Sequence, residues 1–184
     1  GALVAHVAAP QIGAAGAHLL YPDGKIQHVG VFLGFRDAAG HLYHGLDPDG
    51  PDLMRRRGFT HSVSAVTGAC LAVRRDEYLA VEGMDESAFA VNYNDVDLCL
   101  KLSRRGLRNI VTPHAKLIHH QSASRGYDST DEKKAKSKTE MVELYKRWGE
   151  KIARDPFYNE NLSLRSEEGS LAWPPRWVPP WRQD

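Results

Sequence analysis

Hydrophobic positions along the chain fall into short runs broken by glycine and proline, with two longer stretches of helical period. Residues 2–9 (ALVAHVAA) are helix-like and end at Pro10. The small apolar run GAAGAHLLY (13–21) meets Pro22-Asp23-Gly24, and KIQHVGVFLGF (25–35) follows with strand character. In it Ile26, His28 and Gly30 share one side, and Val29, Val31 and Leu33 the other. The pair predicts a hairpin turning at Tyr21 to Gly24, because Asp-Gly supplies a residue tolerant of positive φ. Residues 36–60 lose the pattern: Gly40, Gly45, Gly50, Pro48, Pro51 and the basic cluster Arg55, Arg56 and Arg57 predict a long polar loop. HSVSAVTGACLAV (61–73) returns to β character, and Gly68 inside it predicts a bulge or a close backbone approach.

Arg75 to Val81 reads as a short helix stopped by Gly83. Residues 94–105 (NDVDLCLKLSRR) form the strongest helical pattern, with Val96, Cys99, Leu100 and Leu107 as one stripe and Gly106 as its stop. Two short strands, 109–111 and 116–119, are expected around Pro113. Residues 131–152 predict a long charged helix that buries Met141, Leu144, Tyr145 and Trp148. After Asp155-Pro156 the pattern is irregular, and the stretch from Trp173 to Trp181, rich in Trp and Pro, predicts an extended arm clamped on a surface. There is no internal repeat. The elements define one α/β domain, residues 1–184, with a globular part over 1–155 and an arm over 156–184.

Composition narrows the options. Of 184 residues, 42% are hydrophobic and 26% charged, enough for a packed core and against general disorder. With 24 Lys and Arg against 23 Asp and Glu the net charge is +1, which gives no support for a nucleic-acid binder. Cys70 and Cys99 are too few for a disulfide framework or a four-thiolate zinc site and sit in apolar runs as small hydrophobes. No apolar run reaches the ~18 residues needed to cross a bilayer. The opening residues carry no Met, basic n-region or signal-type cleavage site, and read as the inside of a helix, so a piece of a longer protein is expected.

Candidate chemistry concentrates in two places. In VNYNDVDLCLKL (91–102), Asn94 is a good N-cap and Asp97 would complete a capping-box-like pair, so capping is the favoured reading for both. Asp95 is less explained by capping. A carboxylate there could project into a cleft and accept a hydroxyl proton as general base, with the helix N-terminus expected to lower its pKa. The second place is LIHH (117–120), where strand alternation turns His119 and His120 to opposite sides. Either is more often a hydrogen-bonded core or surface histidine than a metal ligand. In SASRGYDS (122–129), the Ser hydroxyls and Arg125 could hold a phosphate, against the plain reading of a flexible loop.

These residues together carry a resemblance. The runs 13–35, 64–75, 91–106, 113–126 (PHAKLIHHQSASRG) and 147–164 (RWGEKIARDPFYNENLSL) resemble, in order, the C-terminal half of family 2 glycosyltransferases, nearest the bacterial rhamnosyltransferase-like and O-antigen or capsule assembly type. The resemblance implies a glycosyltransferase-A type fold with a mixed sheet and flanking helices, and inverting transfer of a sugar from a nucleotide-sugar donor to a glycan hydroxyl. It implies Asp95 as catalytic base, with Asn94 and Asp97 beside it in the substrate site. Thr67, Gly68 and Ala69 would line the sugar and acceptor pocket, and Ser122 and Arg125 would belong to a loop over the diphosphate. His119, with His120 as fallback, would help hold Mn²⁺ or Mg²⁺. The family's upstream Asp-x-Asp motif has no match at the expected place, since the two such strings are Asp47-Pro48-Asp49 and Asp95-Val96-Asp97. The expectation is therefore the acceptor-side half of an active site, inactive alone, cytoplasmic or membrane-associated through its parent protein, and dimeric or strand-exchanged through an unpaired sheet edge. Two other readings compete: a non-catalytic carbohydrate- or partner-binding module, and a small metallohydrolase using Asp95, Asp97 and His119.

Overall fold

A computed structural model describes residues 1–35, 38–50, 56–120, 131–177 and Trp181. After a first helix, α1 (Ala2–Val7), the chain enters β1 (Ile12–Leu20). This strand is the axis of a five-stranded mixed sheet. Along one edge it pairs in parallel with β7 (Arg108–Ile118). Its other edge is shared by two short antiparallel strands, β6 (Leu71–Val73) against residues 14–16 and β2 (Ile26–His28) against residues 19 and 20. The strand β5 (His61–Val63) adds antiparallel to β7 through residues 109–111. A separate two-stranded sheet joins β3 (Val31–Leu33) to β4 (Ala39–His41).

β1 is buried at all but its last residue, and this is why it is built from glycine and alanine. On one face Ala15 packs with Val7, Ile12 and Ile110 under α1. On the other, Ala14 joins the main core under the helix α3 (Asn94–Arg104). The approach is close enough that a Cβ on Gly16 would lie 2.7 Å from Val66 Cβ. Because α3 is wrapped by the sheet on one side and by α4 (Asp131–Ala153) on the other, Val96 to Leu100 and Leu102 are all buried, a wider set than the expected single stripe.

The 21–24 hairpin turn forms as expected, closed by Tyr21 N–H to Lys25 O at 2.8 Å. Four sequence expectations give way. The strand pattern 25–35 breaks into β2 and β3 at Gly30, whose φ of 120° is accessible to glycine and where a Cβ would sit 2.6 Å from Val63 Cγ1. The long loop contains β4, hidden because Ala39, Gly40 and His41 carry no alternation. The two strands around Pro113 are one, β7; the register jumps from Ala17–Thr112 to His18–Lys116, so Pro113, which has no N–H, sits in a bulge. In α4 the buried stripe runs Glu140, Leu144, Trp148 and Ile152, and Tyr145 is 41% exposed. Beyond Pro156 the chain is irregular, yet Tyr158 and Leu162 belong to the core, Tyr158 packing on Phe32 and Phe35. Asp155 anchors this return by accepting from Leu33 N–H (2.6 Å), Ser64 Oγ–H (2.7 Å) and Phe157 N–H (2.7 Å). The fold is thus a mixed α/β layer structure with a curled sheet and flanking helices, consistent with part of a glycosyltransferase-A type fold.

Candidate active site

The site forms where α3 begins. The loop before it is fixed from α4: the buried Glu140 carboxylate accepts Val91 N–H (3.0 Å), Asn92 N–H (2.8 Å) and the Asn92 side-chain amide (2.9 Å). Tyr93 then takes a left-handed conformation, φ 61°, unusual for a bulky residue, and the helix starts at Asn94. Asn94 does not act as the residue before the helix; its side-chain oxygen accepts Asp95 N–H at 2.8 Å.

Asp95 faces the turn between β5 and β6. Its Oδ2 accepts Gly68 N–H at 2.7 Å, its Oδ1 accepts Val96 N–H at 2.8 Å, and the Thr67 hydroxyl bonds it as well. Thr67 Oγ1 also accepts Ala69 N–H at 3.3 Å. Asp95 is partly exposed, and Gly68 and Ala69 beside it are exposed, so the carboxylate meets the tip of a turn that is open to solvent. Enough protein surrounds it that burial is the largest influence and raises its pKa, while the amides of Gly68, Val96 and Asp95 and the Thr67 hydroxyl pull it back down. This reverses the sequence expectation of a lowered pKa, because desolvation outweighs the helix-terminal donors.

His119 directly follows β7, with its N–H on Leu20 O at 2.9 Å. Its Nδ1 lies 2.7 Å from Gln27 Oε1, and Gln27 Nε2–H returns to His119 O at 3.3 Å. An amide oxygen only accepts, so Nδ1 carries a proton, and in the neutral ring Nε2 is the nitrogen with the lone pair. That is the orientation of a metal-ligating histidine, whose other ring nitrogen donates to a fixed acceptor. Among the described residues no group of three His, Cys, Asp or Glu side chains is placed to hold a metal, so His119 fits one coordination position and the rest of a set is not at hand. His120 is exposed.

Asp97 turns the other way. It is wholly buried, accepting Trp148 Nε1–H at 2.9 Å, with Lys101 Nζ at 3.2 Å and Arg147 Nη1 at 3.6 Å. It fastens α3 to α4 and has no contact with the Thr67 turn. The structure thus brings Asp95, Thr67, Gly68 and Ala69 together, with Asn94 behind them. His119 is not brought into this group: its partner Gln27 and the Thr67 partner His28 are neighbours on β2, where successive side chains turn to opposite faces. Ser122 and Arg125 lie outside the described residues. Glu140, Gln27 and His28 were missed by sequence reasoning; the available signal was a polar pair, Gln27-His28, inside an otherwise apolar strand.

The site is therefore a carboxylate presented at a helix start on a curled mixed sheet, beside a turn whose Gly68 and Ala69 are exposed. Comparison with known proteins gives the chain relatives. The chain is 42% identical over 178 residues to the uncharacterized protein y4gI of Sinorhizobium fredii, covering 95% of the chain and 19% of that protein. It is 37% identical over 172 residues to the O-antigen biosynthesis protein RfbC of Myxococcus xanthus, covering 92% of the chain and 13% of that protein. Over 82 residues, 45% of the chain, it is 34% identical to an N-acetylglucosaminyl-diphospho-decaprenol L-rhamnosyltransferase of Mycobacterium tuberculosis. No known family model matches the chain. The chain therefore spans less than a fifth of the length of the first two relatives. These relatives support a glycosyltransferase-like family for it, and the resemblance to a C-terminal half is compatible with them. No helix among the described residues is long and apolar enough to cross a membrane.

Proposed function

We propose that this chain is the acceptor-side part of an inverting, metal-dependent glycosyltransferase of polysaccharide biosynthesis, moving a sugar from a nucleotide-sugar to a glycan hydroxyl. The observation that carries the reading is the Asp95 carboxylate, held by Gly68 N–H and the Thr67 hydroxyl at an open turn with its pKa raised by burial. A base whose pKa moves toward neutrality accepts a hydroxyl proton with better driving force than an ordinary carboxylate. Asp95 takes the acceptor proton while Thr67, Gly68 and Ala69 form the wall against which the acceptor sugar lies. Much of the rate in such a reaction comes from holding the two substrates in line. Asn94 orients the helix start, and Asp97 is assigned to the α3–α4 contact instead of the substrate. Ser122 and Arg125 keep the diphosphate role that the resemblance implies. His119 would offer Nε2 to a divalent cation, Mn²⁺ in preference to Mg²⁺ because imidazole suits transition metals. When bound, that cation would neutralise the diphosphate leaving group. The remaining ligands and the donor pocket are assigned to other parts of the parent protein, so the chain alone is expected to be inactive and to bind metal weakly.

The test is Asp95→Asn in the full-length parent protein. Turnover should be abolished while nucleotide-sugar binding stays within about twofold of wild type, since base removal touches the transition state and not the donor contacts. Substantial remaining turnover removes Asp95 from the role. A second reading, a non-catalytic carbohydrate- or partner-binding module, is favoured by the exposed Trp173 (91%), Trp181 (79%) and Trp177 (42%). Under it, Asp95→Asn leaves the protein's glycan or partner binding intact and there is no turnover to lose, so the same variant separates the two.

A further inference from the structure

His28 sits behind the site and neither the resemblance nor the relatives give it a role. It is fully buried on β2, and both ring nitrogens are occupied. Nε2 lies 3.4 Å from Thr67 N, and Nδ1 lies 2.9 Å from His41 Nδ1 on β4. A backbone N–H can only donate, so Nε2 is the unprotonated nitrogen of His28. Nδ1 therefore carries the proton and donates it to His41, whose Nδ1 must be bare and whose proton sits on Nε2. The tautomers of both rings follow from one peptide N–H. Burial, with His41, His18 and His61 as further influences, holds His28 neutral by pushing its pKa well down, and burial does the same for His41.

The consequence runs forward to the carboxylate. Thr67 N–H is tied to His28, the next amide, Gly68 N–H, is tied to Asp95 Oδ2 at 2.7 Å, and the turn closes through Cys70 N–H to Thr67 O at 3.3 Å. Gly68 and Ala69 are exposed, so among the described residues nothing packs over this turn to fix it from outside. Its direction is set from beneath, by the imidazole, and at its tip, by the carboxylate. We propose that His28, itself oriented by His41, is a positioning residue for Asp95: it holds the Val66–Thr67 peptide through the Thr67 N–H, so that the next amide, that of Gly68, is aimed at the carboxylate. This rests on the proposed role of Asp95 for its catalytic meaning, while the coupling itself is a property of the folded chain and can be read without activity.

NMR of the 184-residue chain tests it in two measurements. In wild type, long-range ¹H–¹⁵N spectra should show His28 as the Nδ1–H tautomer and His41 as the Nε2–H tautomer from pH 6 to 8; an Nε2–H tautomer at His28 overturns the proposal with no variant needed. Second, the Gly68 amide shift should titrate with the Asp95 side-chain carboxyl carbon and stop titrating in Asp95→Asn. In His28→Leu, which removes the acceptor but keeps apolar bulk, the Gly68 amide should lose its downfield shift. The proton affinity of Asp95 should then rise about tenfold, because an amide bond to the charged form has been lost. His28→Gln, which can place an oxygen near the Nε2 position, should restore both values. A folded His28→Leu chain with Gly68 and Asp95 unchanged overturns the proposal. If that variant does not fold, His41→Leu decides in its place, with the same directions expected and an unchanged Gly68 counting against it. If Asp95→Asn keeps turnover in the parent protein while these shifts behave as stated, the base assignment fails and the positioning contact stands.

Discussion

Lowering the pH should unfold this protein through its buried histidines before its carboxylates are fully protonated. Burial, then His61 and Lys116, pushes His18 down to about 4 from the free value of 6.5. Burial, then His44, pushes His41 to about 4 as well, and His28 is pushed in the same direction. Between pH 4 and 6.5 the unfolded chain binds protons at these rings and the folded chain does not, so stability rises with pH across that window. The contribution is complete above pH 6.5 and is lost as pH falls toward 4. At pH 4.5 the loss is about 2–3 kcal/mol for each of His18 and His41, since each tenfold difference in proton affinity is worth about 1.4 kcal/mol and the window to 6.5 spans two of them. Together that is a large part of the roughly 5–15 kcal/mol available to a domain. Asp95 and Asp155 act with the opposite sign, because burial raises their pKa and the folded state holds their protons above pH 3.8. The histidine slope is isolated by comparing wild type with His18→Leu, which removes one buried ring, whose Nε2 has no hydrogen-bond partner among the described residues. Urea denaturation followed by tryptophan fluorescence at pH 7, 5.5 and 4.5 should show the wild type losing stability steeply and the variant losing about 2–3 kcal/mol less by pH 4.5. Equal losses in the two proteins would mean that His18 is protonated in the folded state, and the burial argument would be wrong.

Two further perturbations address the frame. Asp97→Ala should destabilise by about 3–5 kcal/mol in the same denaturation assay, because it strands Lys101 and the Trp148 N–H around a buried vacancy. A loss under about 1 kcal/mol would return Asp97 to the candidates for substrate contact. Gly16→Ala puts a Cβ 2.7 Å from Val66 Cβ in the middle of the sheet, and a loss of about 1–3 kcal/mol is expected from overpacking; a neutral result would show that β1 and the Val66 segment can move apart.

The sequence made the periodic elements readable and left the contact-dependent ones hidden. α3, the 21–24 hairpin and α4 announce themselves by apolar spacing, turn residues and glycine stops, and each is close to where it was expected. β4 and the single course of β7 were not legible, since three residues without alternation and a strand crossing a proline are decided by what pairs with them. The same division holds at the site. Asp95 stood out because capping did not account for it, but the direction of its pKa could not be read from a helix start. The turn that encloses it lies 27 residues earlier in the chain.

How Asp95 is held argues that the site is a property of several layers and not of its own motif. Glu140 on α4 fastens the loop that delivers Asn94 and Asp95, and Asp97, two residues on, fastens the helix to the same α4 through Trp148. From the opposite side His28 and His41 hold the turn that meets the carboxylate. The short motif Asn94-Asp95-Val96-Asp97 therefore divides its two acids by direction: Asp95 toward the turn, Asp97 toward the helix that keeps the start of α3 in place. Acids spaced by two on a helix lie about 200° apart around its axis, so opposite assignments are what the geometry requires. An acid one position later, in place of the buried Val96, would face the core, and the direction of Asp97 is intelligible only with α4 present.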